Sequence, residues 1–188
     1  MFIQTEQTPN PASLKFLPGC EVMVKGTAEF TEAAKADVSP LAAQLFKVKG
    51  VAGVFLGSDF VTVTKTDEDS WPALKPLILG VIMEHFTAGR PVMNDEHLHD
   101  VAGHASTAGG EDTEIVKQIK ELLDTRIRPV VAQDGGDIVF HSFEDGVVFL
   151  SMRGACAGCP SSTATLKSGI ENLLKHFIPE VSEVRAVN

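Results

Sequence analysis

The chain has no tyrosine and a single tryptophan among its 188 residues, so it lacks the aromatic platforms on which single-stranded nucleic acid stacks. It is also short of positive charge. Lys and Arg number 16 against 25 Asp and Glu, for a formal net charge of −9, and no basic stripe is present. A phosphate backbone would find no matching surface, which argues against nucleic acid as a partner. No apolar run approaches the roughly 18 residues that a membrane-spanning helix needs. The opening residues, Met1-Phe2-Ile3-Gln4-Thr5-Glu6, read as neither a signal peptide nor an Arg-rich transit peptide. Cysteines number three, whereas a disulfide framework normally uses an even set. These absences predict an intracellular chain in a reducing compartment, with cysteines that serve as ligands, redox groups or buried apolar residues. No Ser-His-Asp order, Walker loop or Gly-x-Gly-x-x-Gly is present.

What is present reads as two small α+β domains joined by a flexible linker. Hydrophobic residues make up 44% and charged residues 22%, enough for a core in each half. In residues 1–87, β-like runs at 2–8 and 13–17 are interrupted by Pro9-Asn10-Pro11 and Pro18-Gly19. Ser39-Pro40-Leu41 reads as an N-cap with proline at the first helical position, starting a helix that buries Leu41, Leu45 and Phe46. Two further β-rich runs, 50–56 and 60–64, flank the turn Gly57-Ser58-Asp59. A helix over 71–86 follows, with Leu74, Leu77, Ile78, Val81, Ile82 and His85 at helical spacing. Residues 88–112 are poor in large apolar side chains and read as the linker. In residues 113–188 a long amphipathic helix carries Ile115, Ile119, Leu122, Leu123 and Ile127. It breaks at Asp134-Gly135-Gly136-Asp137. Two strands at 138–143 and 147–152 meet at Glu144-Asp145-Gly146, and a helix over 160–177 and a strand over 181–187 complete an α-β-β-α-β order.

The motif that carries chemistry is Cys156-Ala157-Gly158-Cys159, between a strand end and a helix start. Two residues of spacing let both sulfurs face one ion or cluster, and free N–H groups and the dipole at a helix N-terminus favour thiolate. Ala157 and Gly158 leave room for a bulky inorganic group, and Pro160 fits the first helical turn. Four readings compete. The cysteines could simply pack. They could be a thioredoxin-like pair, although that motif normally follows a βαβ unit. A zinc site needs four ligands; Cys20 lies in the other domain and His141 at the wrong end of its strand. A shared iron–sulfur cluster also needs four thiolates, which two copies of the chain would supply. Any four-cysteine centre on this motif is therefore intermolecular.

Here the sequence resembles the NifU-like (Nfu) iron–sulfur scaffold and carrier family. Ile127-Arg128-Pro129, Asp134-Gly135-Gly136-Asp137 and the run from Gly154 through Cys156 and Cys159 to Ser162 resemble its C-terminal domain. Thr8-Pro9-Asn10-Pro11 with Leu14-Lys15-Phe16, Ser39-Pro40-Leu41-Ala42 and Val61-Thr62-Val63-Thr64-Lys65 resemble its N-terminal domain. The resemblance implies a carrier, not a turnover enzyme, that assembles one [4Fe–4S] cluster per homodimer on Cys156 and Cys159 of each copy. It implies receipt of clusters from upstream assembly proteins and transfer to apo-proteins such as aconitase-like or lipoyl-synthase-like enzymes. Members of the family occur in bacteria and in mitochondria, and the opening residues favour the bacterial cytoplasm, or the mitochondrial matrix if this is a processed eukaryotic form. The runner-up is a dithiol–disulfide oxidoreductase using the same two cysteines.

Other residues invite weaker readings. Cys20 reads as a small inert hydrophobe. His97, His99 and His104 sit in the linker near Asp95, Glu96 and Asp100, a solvated segment with at most weak metal affinity. His85 reads as a surface cap at a helix C-terminus, where the charged form is favoured. Asp134 and Asp137 read as turn residues. Arg126, Arg128 and Arg153 could offset the charge of a cluster or form ordinary ion pairs.

Overall fold

Proline and glycine cut the first half of the chain into short strands, and the resulting elements pack as one body. The structure is a computed structural model that describes residues 2–94, 113–157 and 160–187, without the side chains of 160–162. The chain divides into two compact units, residues 1–103 and 104–188.

In the first unit, strands β1 (Gln4–Gln7), β2 (Ser13–Leu17) and β3 (Ala28–Phe30) precede a 3-10 turn (Ala33–Val38) and helix α1 (Pro40–Phe46). Strands β4 (Val51–Leu56) and β5 (Val61–Lys65) follow, then helix α2 (Trp71–Thr87). The sheet is antiparallel throughout, in the order β1-β2-β5-β4-β3. Register aligns side chains in rows across it. One row runs Gln7, Leu14, Val63, Val54, Phe30, and the next runs Thr5, Phe16, Val61, Leu56, Ala28. From β2 to β3 these rows are apolar and buried, forming the core with Leu41 and Leu45 of α1 and Leu74, Ile78 and Ile82 of α2. The opposite face carries Glu6, Lys15, Thr62 and Phe55, with an ion pair of 3.3 Å between Lys15 and Glu6.

The expected start of α1 is present: Pro40 opens the helix and the Ser39 hydroxyl accepts from the Ala42 N–H at 3.1 Å. Three features differ from the sequence reading. Strand β3 has only three residues, too few for an alternation to show. Leu77, counted in the apolar stripe of α2, is exposed, because Leu74, Ile78 and Ile82 already fill the buried side. The packed chain also continues past Thr87. Met93 is buried, the Asn94 N–H donates to the Val38 carbonyl at 2.9 Å, and the Ser39 hydroxyl donates to the Val92 carbonyl at 2.6 Å. The rest of the expected linker, with His97, His99 and His104, lies outside the described residues.

The second unit shows the α-β-β-α-β order. Helix α3 (Glu114–Leu122) is capped by Thr113, whose hydroxyl accepts from the Val116 N–H at 3.4 Å. Its continuation widens into a π turn (Leu123–Ile127) before helix α4 (Arg128–Gln133). Pro129 explains the widening: it has no N–H for the Thr125 carbonyl, and the preceding Arg128 N–H reaches back to Leu123 instead. Strands β6 (Gly136–Glu144) and β7 (Val147–Gly154) are joined by Asp145-Gly146, both at positive φ (49° and 80°), as a two-residue hairpin of this kind requires. Helix α5 (Pro160–Phe177) then crosses back to strand β8 (Glu183–Ala186), which lies parallel to β7. Ile119, Leu123, Ile127, Val131, Ile138, Val148, Leu150, Ile170, Leu174 and Val184 close the core between sheet and helices. Both units are therefore small α+β folds.

Candidate metal centre

Strand β7 ends at Gly154, whose φ of +66° turns the chain away from the sheet. The Ala155 N–H donates to the Gly135 carbonyl at 3.1 Å, which ties this turn to the one between α4 and β6. The Thr163 hydroxyl donates to the Cys156 carbonyl at 3.1 Å, which ties it to α5. Cys156 is thereby fixed with its side chain inward, only 6% exposed and packed into the second core.

The sulfur rests against Gly136. A Cβ on that residue would lie 2.7 Å from Cys156 Sγ and 2.6 Å from the Arg153 carbonyl oxygen. The run Asp134-Gly135-Gly136-Asp137 is thus more than the turn read from the sequence. Gly135, at φ +79°, makes the turn, and Gly136 makes the seat for the cysteine. The signal for this second role was the doubled glycine, since the turn itself needs only one.

Burial pushes the Cys156 thiol up to about 12, and the nearby carboxylates of Asp134 and Asp137 push in the same direction. The shift runs opposite to the thiolate preference expected from the helix N-terminus, because burial and the two nearby negative charges both favour the neutral thiol. Of the three arginines, Arg128 braces this turn. Its Nε lies 3.3 Å from Asp137 Oδ1 and its Nη1 lies 3.0 Å from Asp124 Oδ1, while Nη2 donates to the Ile138 carbonyl at 3.3 Å. Asp137, buried, also accepts from the Ile138 N–H at 2.8 Å. Arg126 instead stacks over Phe177, 5.8 Å from the ring centre. Arg153 lies opposite Asp137 in the β6–β7 register.

Cys159 lies outside the described residues, so only one of the two expected ligands has a described position. Among the described residues, no three His, Cys, Asp or Glu side chains gather as a metal site. His141 sits at the bulge in β6, with Nε2 3.1 Å from Ser151 Oγ. Cys20, read as a small inert hydrophobe, is exposed and follows the turn at Gly19, outside the core. His85 also departs from its reading as a charged surface cap. It is 1% exposed, and neither ring nitrogen has a hydrogen-bond partner among the described residues. Burial lowers its pKa, because the inward face of α2 removes the ring from water, and the Arg90 charge acts in the same direction while the backbone of Pro91 and Arg90 nearby opposes it.

Comparison with known proteins adds two domain assignments. Residues 3–89 match the family described as "Scaffold protein Nfu/NifU N terminal", and residues 119–185 match the "NifU-like domain". Among curated proteins, the chain is 53% identical to "NFU1 iron-sulfur cluster scaffold homolog, mitochondrial" of Drosophila willistoni. That match covers 100% of this chain and 64% of the relative. Identity to the protein of the same name from Drosophila erecta is 54%, over 100% of this chain and 65% of the relative. The chain thus spans a little under two thirds of the length of these relatives. Among solved structures, a NifU-like protein from Saccharomyces cerevisiae is 27% identical and covers 50% of this chain and 86% of its own. The TM-score is 0.46.

Proposed function

Since the chain belongs to the NifU-like (Nfu) family of iron–sulfur scaffold proteins, we propose that it carries a [4Fe–4S] cluster as cargo between two copies of itself. Cys156 and Cys159 of each copy are the ligands, and the cluster passes to apo-proteins. The observation that carries this reading is the match of residues 119–185, Cys156 and Cys159 among them, to the NifU-like domain; Cys156 itself rests in a buried seat at the end of β7 with a glycine beneath the sulfur. One chain offers two thiols, Cys156 and Cys159, and a four-thiolate centre is completed by a two-fold partner.

The same seat argues against the oxidoreductase. An attacking cysteine in that chemistry is exposed and has a depressed pKa, whereas Cys156 is buried with its thiol near 12. Iron changes the balance for a ligand, because coordination deprotonates a thiol outright. Loading therefore releases protons and requires the Cys156 side chain to leave its pocket. Transfer reverses this: acceptor thiolates replace the carrier's sulfurs at iron, and the freed thiolates regain protons and return to the core. The protonated, buried state of Cys156 favours release, which suits a carrier better than an enzyme that turns over substrate. Upstream assembly proteins are the donors.

The cytoplasmic location expected from the opening residues has no support in the relatives above, whose names are mitochondrial. The mitochondrial matrix is accordingly the compartment we propose. The test is transfer. Incubated with apo-aconitase, the cluster-loaded chain should lose its absorbance as aconitase activity appears, faster than the cluster decays alone. A cluster whose lifetime is unchanged by the acceptor would overturn the carrier reading.

A further inference from the structure

The two rows of side chains across the first sheet stop being apolar at β1. Leu14 and Phe16 of β2 face the core, and their register partners on β1 are Gln7 and Thr5. Helix α2 turns Leu74, Ile78 and Ile82 onto the sheet, and beside its first turn a cavity of about 490 Å³ opens against β1. Thr5 and Gln7 form one wall, Trp71 and Lys75 the other, and Pro9 and Pro11 close one end.

The walls are fixed without a ligand. The Trp71 indole N–H donates to the Pro11 carbonyl at 3.0 Å, and the Thr8 hydroxyl donates to the Asn10 carbonyl at 2.8 Å. The Asn10 side chain in turn accepts from the Ala12 N–H at 3.0 Å. This accounts for Thr8-Pro9-Asn10-Pro11, a motif for which cluster chemistry has no use. The strand beside the cavity is the end of its sheet, so its outward N–H and C=O groups have no neighbouring strand among the described residues. Among the described residues, Lys75 is the only charged side chain lining the cavity, and it has no ion-pair partner.

We propose that this groove binds an extended, acidic segment of a partner protein. The segment adds to β1 as a sixth strand, lays alternate side chains between β1 and α2, and sets a carboxylate against Lys75. An open sheet edge beside a helix supplies main-chain hydrogen bonds for affinity and a pocket for alternate side chains. The unpaired cation supplies the charge complementarity that selects an acidic segment. The inference rests on the carrier reading only for the partner's identity as a cluster donor or acceptor. Peptide binding is measured without a cluster, so either reading can fail alone.

Random decapeptides displayed on phage are selected on the full, cluster-free chain. Enriched peptides should carry Asp or Glu, and their synthetic forms should shift the emission of Trp71, the sole tryptophan. Lys75→Glu should weaken them about tenfold or more, the effect of losing a charged hydrogen bond. Peptides with the acid changed to Lys should recover binding to that variant. Methylating alternate peptide amides should block binding in one phase and spare it in the other. Lys75→Glu should still load a full complement of iron. No enrichment, binding indifferent to Lys75→Glu or to methylation phase, or a cluster-free dimer that pairs through β1 would overturn the proposal.

Discussion

Gly136→Ala tests whether the cysteine seat is as tight as its geometry implies. The added Cβ would meet Cys156 Sγ at 2.7 Å and the Arg153 carbonyl at 2.6 Å. The sulfur can rotate away, but the carbonyl belongs to β7 and moves only with the strand. Overpacking of this kind costs about 1–3 kcal/mol, and a backbone clash belongs near the upper half of that range. A loss of about 2 kcal/mol raises the population of the opened state roughly 30-fold. Thiol labelling reads that population directly, because Cys156 is buried and reacts only when the turn opens. In a Cys20→Ser, Cys159→Ser background at fixed pH, Cys156 of the Gly136→Ala chain should label about 30-fold faster, with the spectrum of the first unit unchanged. Labelling within twofold of the parent would mean that Gly136 does not press on the sulfur, and the account of the seat would be wrong.

Other outcomes follow from the same geometry. The Cys156 thiol sits near 12 when folded against an ordinary value of 9.0, so its contribution to stability is complete below pH 9 and is lost as pH rises toward 12. Urea midpoints of the second unit should fall over that window in the metal-free chain, and Cys156→Ala should flatten the fall. Arg128→Leu leaves the buried Asp137 without its guanidinium and should cost about 1.5–3 kcal/mol in urea unfolding; Arg128→Lys should restore part of this, and full wild-type stability in Arg128→Leu would exclude the brace. His85 has a lowered pKa, so the first unit should keep its stability above pH 6.5 and lose it as pH falls through the folded value. Trp71 fluorescence during urea unfolding at pH 5 and 7.5 reads this, and His85→Leu should remove the difference between the two.

Much of the fold was legible because its signals are local. The cap at Ser39-Pro40, the Asp145-Gly146 hairpin and the apolar spacing of α2 and α3 each lie within a few residues of chain. What escaped depends on register or on distant contacts. Leu77 fits a helical stripe, and only the sheet beneath α2 decides that it points outward. His85 looked like a cap because it stands near the helix end, and only the fold shows that its ring is buried. At the site, spacing alone singled out Cys156. The environment of its sulfur could not be read that way, since Gly136 and Asp137 approach from the far end of a hairpin. The groove beside β1 was hidden for a similar reason. Thr5 and Gln7 belong to a β-like run in the sequence, and only the register sets them beside Phe16 and Leu14.

One cluster shared by two chains has a mass that native mass spectrometry reads after anaerobic reconstitution with iron and sulfide. A brown species of two chains, four irons and four sulfides is expected, and it should disappear when either Cys156 or Cys159 is changed to Ser. A single chain holding iron without a partner, a colourless chain with bound zinc, or a monomer with a Cys156–Cys159 disulfide would contradict it.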